Sequence, residues 1–389
     1  MLDISIQRNK IMKSNWQTKK LSEICETASG GTPLKSHKEY YENGSIPWLR
    51  SGEVCRKEIT ESVLFISEKG LKKSSARIFP KNTLLIAMYG ATAGQVGILR
   101  FESSTNQAVC GVLPNGKILP EFLYYFFLDE KESLINKATG NAQPNISQIK
   151  IKNTQIPLPT IQEQKRIVKV LDEVFNKIEK VKENAEKNLQ NSKVLFESYL
   201  QSIVVNPKKE WEIKKIKDIC DKLFAGGDVP KKNLSKFKTE KYSIPIYANG
   251  FKDKGLYGYT DKKKVEEPSI TISARGTIGY AEVREEPFFP VVRLIVLTPK
   301  ETMDLYFLYY ITHNFKFSNT GTSIPQLTIP MIENIEIPVP TIKEQKAIVK
   351  KLDELSEQTK KLEIIYKKKL ADLEELKKSV LKKAFAGEL

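Results

Sequence analysis

Apolar residues recur every three or four positions over two long stretches of the chain, and this spacing predicts two long amphipathic helices. In the first stretch they are Ile167, Leu171, Val174, Ile178, Val181 and Ala185, followed by the polar Asn188 and Ser192 and then by Leu195 and Tyr199. In the second they are Ile348, Leu352, Leu355, Leu362, Tyr366, Leu373 and Val380, with a polar Thr359 among them. Alternating steps of four and three form a heptad seam, so we expect the helices to pair as a coiled coil. A helix of about 45 residues is roughly 65 Å long, which is long enough to separate two domains.

The same phrase precedes both predicted helices. IPLPTIQEQKRIVKVLDE occupies Ile156 to Glu173, and IPVPTIKEQKAIVKKLDE occupies Ile337 to Glu354. The prolines favour an extended approach, Thr160 or Thr341 can cap the helix, and the glutamate three residues later can complete a capping box. Such a match indicates an internal duplication, which favours a helix pair within the chain over two unrelated surface helices.

Short runs of β-type residues, separated by glycine and proline, precede each long helix. They include LLIAMYG, VGILRF and AVCGVL in the first half and SITISARG and VVRLIVLTP in the second. One shorter helix is predicted in each half, at 121–131 and at 304–314. Paired phrases follow in the same order in both halves: WQTKKLSEIC and WEIKKIKDIC, Gly90 to Gly94 and Gly276 to Gly279, Thr139-Gly140 with Pro144 and Thr320-Gly321 with Pro325. The duplication therefore covers the whole chain.

The predicted fold is α+β and pseudo-twofold. Two tandem mixed α/β domains are separated by two long repeated helices that form an antiparallel coiled coil. The predicted segments are a loosely ordered lead-in at 1–15, a first domain at 16–155, a central helix at 156–205, a second domain at 206–336 and a C-terminal helix at 337–389.

The chain carries 63 basic and 47 acidic side chains, a formal net charge of +16. A polyanionic partner explains such an excess, and nucleic acid is the first candidate; the alternative is a lysine-rich surface that keeps the protein in solution. No apolar run is long enough to span a bilayer and the N-terminus lacks a signal-peptide core, so we expect a cytoplasmic protein without a membrane partner. The four cysteines are widely spaced without a Cys-x-x-Cys pair, which predicts reduced, buried thiols rather than disulfides or zinc ligands.

The motifs of nucleic-acid enzymes are missing from the sequence. No phosphate-binding loop of the Gly-x4-Gly-Lys type occurs, and Gly90, Gly94 and Gly97 lack the spacing of a dinucleotide fingerprint. Asn206-Pro207 is followed by lysine, not by the aromatic residue of an adenine methyltransferase motif. The two histidines, His37 and His313, lie far apart. We therefore predict no catalytic, cofactor-binding or metal-binding residues in this chain.

Binding chemistry is present instead. Arg, Asn, Gln, Ser and Thr read base edges, whereas Lys and backbone amides hold phosphates. Residues of these types, with one tyrosine, cluster in predicted loops and form the candidate DNA-binding set: Thr32, Lys35, Ser36, Arg50, Ser51, Tyr89, Asn106, Gln107, Lys231, Lys232, Asn249, Arg275 and Arg293. Any one of them could be a solvated loop residue, so the set carries more weight than its members. Trp48 and the paired tyrosines are interpreted as core aromatics rather than as stacking platforms.

Several phrases together resemble the DNA-specificity subunit of type I restriction-modification systems. They are GGTP, SIPWLRSGE, YGATAGQVGI, TNQAVC, IPLPTIQEQKRIV and LKKAFAGEL, and the resemblance spans essentially the entire chain. The first long helix departs from the family pattern by ending as SYLQSIVVNP rather than with KKAF. The second domain departs from it at Gly226-Gly227-Asp228 and at Ala274-Arg275-Gly276.

The resemblance implies a subunit that catalyses nothing itself. Each domain would read one half of a bipartite target in double-stranded DNA, and the helix pair would fix the unread spacer and dock two modification subunits. Those partners would bring S-adenosylmethionine and methylate adenine, and restriction subunits would cleave DNA using ATP. A coiled-coil adaptor without sequence-specific DNA binding is the alternative, and a nuclease with an unrecognised carboxylate site is a further one.

Overall fold

The computed structural model describes residues 16–136, 145–313, 315 and 326–389. The predicted lead-in at 1–15 and the paired phrases around Thr139-Gly140 and Thr320-Gly321 lie outside these residues. Contacts divide the chain into two units. The first comprises Met1–Asn184 and Lys369–Leu389, and the second comprises Ala185–Lys368.

The first unit combines short strands with short helices. Its strands are β1 (Gln17–Lys20), β2 (Thr27–Ser29), β3 (Ile46–Leu49), β4 (Glu58–Ile59), β5 (Phe65–Ile66), β6 (Ile78–Phe79), β7 (Leu84–Ala87), β8 (Val96–Leu99), β9 (Ser103–Thr105), β10 (Val109–Val112) and β11 (Gln155–Leu158). Its shorter helices are α1 (Leu21–Ile24), α2 (Glu68–Lys72), α3 (Pro120–Asn136) and α4 (Gln148–Lys152). Single 3-10 turns lie at Lys38–Tyr40, Ser51–Glu53 and Gly90–Thr92.

The second unit repeats this plan. The long helix α5 (Ile161–Val205) leads into β12 (Glu212–Lys215), α6 (Ile216–Ile219), β13 (Cys220–Ala225), β14 (Ile244–Tyr247), β15 (Leu256–Thr260), β16 (Ser269–Ile272), β17 (Ala281–Arg284), β18 (Phe289–Pro290) and β19 (Ile295–Pro299). The helices α7 (Leu305–Thr312) and α8 (Ile329–Glu333), the strand β20 (Glu336–Val339) and the long helix α9 (Ile342–Ala386) complete it, with a 3-10 turn at Lys252–Gly255.

The sheets of the two units have matching strand orders. The largest sheet of the first unit runs β2-β10-β7-β8-β4, and that of the second runs β13-β19-β16-β17. A parallel pair also recurs, β3 with β9 in the first unit and β14 with β18 in the second. The strands β7 and β16 are buried along their whole length, as expected for continuous apolar runs at the centre of a sheet. Two tandem mixed α/β domains are thus confirmed.

The shorter predicted helices are also present. The helix predicted at 121–131 is α3, which continues to Asn136. The helix predicted at 304–314 is α7, and Asp304 caps it by accepting hydrogen bonds from the backbone N–H groups of Tyr306 and Phe307 at 3.0 and 2.9 Å. The last predicted position, 314, lies outside the described residues.

The long helices α5 and α9 have 45 residues each, and both contribute to both units. Within the first unit Glu179 pairs with Lys377 at 3.2 Å and Lys182 with Glu374 at 3.4 Å, so the two helices run in opposite directions there. Within the second unit the Thr359 hydroxyl donates to the backbone carbonyl of Ser192 at 3.2 Å. The supercoiled packing of a coiled coil stays a prediction.

The predicted seam needs one correction. Leu195 is 55% exposed, whereas Phe196 and Leu200 pack into the core of the second unit. Ser192 itself is buried, and the next residue on the same helical face is four positions later, at Phe196. The prediction treats Ser192 as a break in the seam and resumes it at Leu195. The structure continues it from Ser192 to Phe196 and Leu200, and Tyr199 packs against the same core.

Each unit is completed by the far end of a long helix. In the first unit Phe385, near the end of α9, packs edge-on against Phe122 and Phe126 of α3, with ring centroids 5.3 and 5.4 Å apart. In the second unit Leu200 and Ile203, near the end of α5, join the core that contains α7. The C-terminal phrase LKKAFAGEL therefore belongs to the core of the first unit.

A buried glutamine fixes the start of each long helix. Gln164 and Gln345, the central residues of the repeated Glu-Gln-Lys, are fully buried. The Gln164 amide donates to the carbonyls of Pro159 and Lys117 and accepts from the N–H of Leu119, at 3.0, 3.3 and 2.8 Å. Gln345 makes the same three contacts with Pro340, Thr302 and Asp304, at 2.9, 3.1 and 2.7 Å. These contacts explain why the phrase is repeated.

In the described part of the chain no helix is long and apolar enough to cross a membrane, and no group of His, Cys, Asp and Glu could hold a metal ion. Burial raises the pKa of the Cys25 thiol to about 11 and those of Cys110 and Cys220 to about 12. Cys55 is exposed, so the expectation of buried thiols is wrong for this residue. Cys55 lies in a loop that follows the 3-10 turn Ser51–Glu53, not in a strand.

Candidate nucleic-acid interface

The repeated parallel strands direct two loops toward the same end of each unit. In the first unit Arg50 follows β3, and Asn106 follows β9. The N–H of Asn106 donates to the carbonyl of Leu49 at 2.9 Å, so the two loops are adjacent. In the second unit the N–H of Val291, after β18, donates to the carbonyl of Tyr247 at the end of β14, also at 2.9 Å.

Three further contacts gather candidate residues at this end of the first unit. The N–H of Gly31 donates to the Thr105 carbonyl at 2.9 Å, and the Thr32 hydroxyl donates to the Gln107 side chain. The N–H of Met88 donates to the Ala108 carbonyl at 2.8 Å, which places Tyr89 beside the same loop. Arg50, Tyr89 and Gln107 are exposed there, and Lys35 and Ser36 are exposed farther along the loop of Thr32. Ser51 begins the 3-10 turn after β3.

Asn249 joins the corresponding loops of the second unit. Its side-chain amide donates to the Val292 carbonyl at 2.6 Å and accepts from the N–H of Ala274 at 2.7 Å. The N–H of Val292 donates to the Gly227 carbonyl at 2.8 Å. Asn249 therefore joins its own loop to the loops of Ala274 and Val292 by hydrogen bonds.

Arg275 and Arg293 are exposed at this end of the second unit. The Arg275 guanidinium donates to Gln326 Oε1 at 2.9 Å. Val292 and Arg293 both have a positive φ, 52° and 61°, a conformation that costs free energy for residues other than glycine. The contacts with Gly227 and Asn249 hold this strained pair, and the Arg293 side chain is presented to solvent.

Lys231 and Lys232 are not part of this group of loops. They lie in a turn that ends at Asn233, whose side-chain amide donates to both carboxylate oxygens of Asp261 at 2.7 and 2.9 Å. Asp261 follows β15, next to the first residue of β14, whereas Asn249 follows the last. Spacing along the chain does not distinguish the two ends of a strand of four residues.

A glycine-bearing turn lies beside the gathered loops in each unit, between β7 and β8 and between β16 and β17. Hydrogen bonds pair equivalent positions, from the N–H of Gly94 to the Ala87 carbonyl and from the N–H of Gly279 to the Ser273 carbonyl. We call residues 88–94 and 274–279 the glycine turns. The second residue of each turn is exposed, Tyr89 or Arg275, and it is followed by a glycine with φ of +69°.

Sequence reasoning included Asn106 of these loops but overlooked Gln95 and Thr277. The buried atoms without a hydrogen-bond partner among the described residues include Gln95 Oε1, Asn106 Oδ1 and Thr277 Oγ1. Buried polar atoms usually have a hydrogen-bond partner. Three buried atoms without one, all at the loop end of a unit, therefore distinguish these loops from the rest of the chain. The signal available in the sequence was the glycine spacing around Gln95 and Thr277.

The aromatic and histidine residues have structural contacts. Trp48 is 4% exposed and its indole N–H donates to the Gly31 carbonyl at 2.9 Å. Tyr125 donates to Asp172 of α5 at 2.5 Å, and Tyr310 donates to Asp353 of α9 at 2.5 Å. Burial, together with the adjacent carboxylate, raises the pKa of both tyrosines well above the ordinary value. These repeated pairs attach α3 and α7 to the long helices.

Both histidines also contact residues nearby in the sequence. His37 stacks on Tyr40 with ring centroids 4.8 Å apart, and His313 Nδ1 lies 3.0 Å from the Tyr309 carbonyl oxygen. These contacts give no indication of a histidine-based catalytic pair.

The family model for the type I restriction modification DNA specificity domain matches residues 13–188 and 208–374. The chain belongs to this DNA specificity family. The specificity subunit of the type I restriction enzyme MjaIX from Methanocaldococcus jannaschii is 27% identical over 96% of this chain and 94% of its own length.

Solved structures of type I restriction-modification proteins share the fold of this specificity-family chain. One comes from a study of complex assembly and conformational transition of the type I R-M system, with a TM-score of 0.78 and 18% identity over 97% of this chain and 99% of the other. The HsdS subunit from Thermoanaerobacter tengcongensis gives a TM-score of 0.63 and 19% identity over 97% and 98%. Family membership favours the DNA-specificity interpretation over that of an adaptor.

Proposed function

We propose that this specificity-family chain binds a bipartite DNA sequence, with each unit reading one half of it. The observation that carries the proposal is the repetition of one loop-bearing scaffold with different side chains at its loop end. Arg50, Tyr89 and Gln107 are exposed in the first unit, whereas Arg275 and Arg293 are exposed in the second. Two units with the same backbone arrangement and different exposed side chains are suited to two half-sites of different sequence.

The long helices would set the number of unread base pairs between the half-sites. Each helix is continuous over 45 residues, which corresponds to roughly 67 Å at about 1.5 Å per residue. Dimeric DNA-binding proteins fix half-site spacing by the same geometric logic. The helices would also dock two modification subunits, and restriction subunits would join that complex.

The chain itself would perform no chemistry. S-adenosylmethionine would bind to the modification subunits and ATP to the restriction subunits. The matching of the chain to a DNA specificity domain over most of its length supports a division of labour in which recognition and catalysis reside in different subunits.

Methylation mapping tests the proposal directly. The chain is expressed with its neighbouring modification subunit in a methylation-free host, and modified adenines are mapped by single-molecule sequencing. We expect a split motif with a constant gap that disappears when this chain is omitted. Methylation that persists without the chain, or subunits that co-purify without producing a motif, would contradict the proposal.

Salt dependence separates the proposal from the adaptor alternative. A DNA-binding chain with a net charge of +16 should lose affinity for duplex DNA steeply as salt rises, by about 0.9 logarithmic units per phosphate contact for each tenfold increase. Fluorescence anisotropy with a labelled duplex measures this slope. An adaptor would show weak retention on heparin and a shallow slope.

A further inference from the structure

The two glycine turns are shared by units whose other loops differ. Gly90 and Gly276 occupy equivalent positions, as do Gly94 and Gly279, although the residue before the first glycine is Tyr89 in one unit and Arg275 in the other. A feature common to two units that read different sequences cannot discriminate between those sequences. It must serve either the fold or a contact that both half-sites provide.

Packing explains Gly94 but not Gly90 or Gly276. A Cβ atom added at Gly94 would lie 2.9 Å from Cγ of Lys131, so a side chain there would displace Lys131. A Cβ atom added at Gly90 or at Gly276 would meet nothing within 4 Å. The space in front of these two glycines is open.

The positive φ at these positions favours glycine, but it does not exclude asparagine or aspartate. Gly90 and Gly276 both have φ of +69°, and Asn82 in the same chain adopts φ of +69° as well. Asparagine and aspartate tolerate this left-handed region better than other residues with a side chain. The property that Gly90 and Gly276 share, and that asparagine lacks, is an open main-chain surface.

A second pair of matched glycines lies in the adjacent loops. Gly52 lies two residues after Arg50, and Gly250 follows Asn249. An added Cβ atom would again meet nothing within 4 Å at either position. Positive charge borders the open backbone, from Arg50 in the first unit and from Arg275 and Arg293 in the second, all three exposed. The Gly250 N–H already donates to the Ser273 hydroxyl at 3.1 Å, so the open backbone is that of Gly52, Gly90 and Gly276. Backbone without side chains, next to arginine, suits an anionic partner such as the DNA phosphates.

We infer that the main chain at Gly90 and at Gly276 approaches a DNA phosphate, so that the two glycine turns form a sequence-independent anchor common to both half-sites. The inference rests on the proposed function and adds a division of tasks to it. The turns position each unit on the DNA, and the variable side chains on the neighbouring loops select the bases.

Aspartate substitution tests the inference, because aspartate tolerates a positive φ better than most residues with a side chain and the control position has a similar φ. The variants are Gly90→Asp and Gly276→Asp in the full chain. The matched control is Gly116→Asp, since Gly116 has φ of +74° and nothing within 4 Å of an added Cβ atom. Gly116 lies beyond the C-terminal end of β10, whereas Asn106 lies before its N-terminal end, so the control is at the opposite end of the sheet.

Binding is measured by fluorescence anisotropy with two labelled duplexes, one carrying the methylated motif and one of random sequence. We expect Gly90→Asp and Gly276→Asp each to raise the Kd for both duplexes about tenfold, and Gly116→Asp to raise it less than about twofold. The neutral variants Gly90→Asn and Gly276→Asn should bind more tightly than the aspartate variants. Circular dichroism melts confirm that all variants are folded.

Two outcomes would overturn the inference. Aspartate at 90 and 276 could behave like aspartate at 116, which would mean that the turns lie away from the DNA. The variants could instead change the methylated motif while leaving binding to random DNA intact, which would make the turns base-reading elements. Failure of the proposed function looks different, because the wild-type chain would then direct no split motif at all.

Discussion

At the scale of single residues, the most informative side chains are Gln164 and Gln345. Each is fully buried and forms hydrogen bonds with three backbone groups at the junction of a unit and its long helix. A glutamine amide can donate and accept at once, so no apolar residue of similar size can satisfy the same groups. The repeated phrase therefore encodes a joint between a sheet-containing unit and a helix.

Replacing Gln164 by leucine should lower the free energy of unfolding by about 3 kcal/mol, because buried backbone groups lose their partners. Urea unfolding measures this loss. The matched control is Gln162→Leu, at an exposed position of the same helix turn, which should change stability by less than about 0.5 kcal/mol. Equal effects of the two variants would show that the contacts of Gln164 do not stabilise the junction.

Glu344 predicts a pH dependence of stability. It accepts hydrogen bonds from Lys208, Thr341 and Trp211, and these contacts, Lys208 above all, lower its pKa from 4.5 to about 2. A carboxyl whose pKa is lower in the folded state stabilises the fold above pH 4.5, and this contribution disappears as the pH falls toward 2.

Glu344→Gln should therefore lower the Tm at neutral pH, and its difference from wild type should shrink as the pH falls below 4.5. Thermal melts across this range check the prediction. Glu354→Gln, at an exposed position on the same helix, serves as the control. A difference that stays constant with pH would indicate that the ionised carboxylate is not the cause.

Some properties of single residues could be predicted from the sequence and others could not. Solvent-exposed arginines at loop ends, such as Arg50 and Arg293, could be proposed from residue type alone. The bracing role of Asn249 could not, because its partners Ala274 and Val292 are distant in sequence. Lys231 and Lys232 were grouped with these residues because spacing along the chain does not indicate at which end of a short strand a loop lies.

At the scale of elements, the end of α9 is a structural part of the first unit. Phe385 is 7% exposed, and it contacts two phenylalanines of α3. Leu381 and Ala384 are buried beside it in the same core. The apolar face of this last helix turn therefore packs against a core more than two hundred residues away in sequence.

Phe385→Ala should destabilise the first unit by about 3 kcal/mol through the cavity it leaves. Hydrogen exchange should accelerate in peptides from α3 and remain unchanged in peptides from α7, which belongs to the second unit. The control is Leu376→Ala, since Leu376 is an exposed residue of the same helix. Equal acceleration in α3 and α7 would show that Phe385 supports the whole chain rather than one unit.

Helices and central strands were predictable because their periodicity is a local property of the sequence. The runs LLIAMYG and SITISARG became β7 and β16, and both long helices lie where apolar residues recur every three or four positions. The two-residue strands β4, β5 and β6 were not predicted, since pairing with a neighbouring strand rather than their own composition makes them extended. The phase shift after Ser192 arose because a small polar residue can be buried between helices.

At the scale of the whole molecule, duplication is the property that the sequence revealed most clearly. The equivalent sheets, parallel pairs and glycine turns all derive from it. Duplication did not reveal which segments make up each of the two units. Each unit consists of one globular segment, the first part of the helix that follows it and the last part of the other long helix.

This division has a consequence for synthesis. The ribosome makes Phe122 and Phe126 more than two hundred residues before their partner Phe385. While the second unit is translated and folds, the first unit must keep part of its apolar core uncovered. A nascent chain that stops before α9 is complete would carry this exposed surface, which would make premature termination a source of aggregation rather than of a functional half.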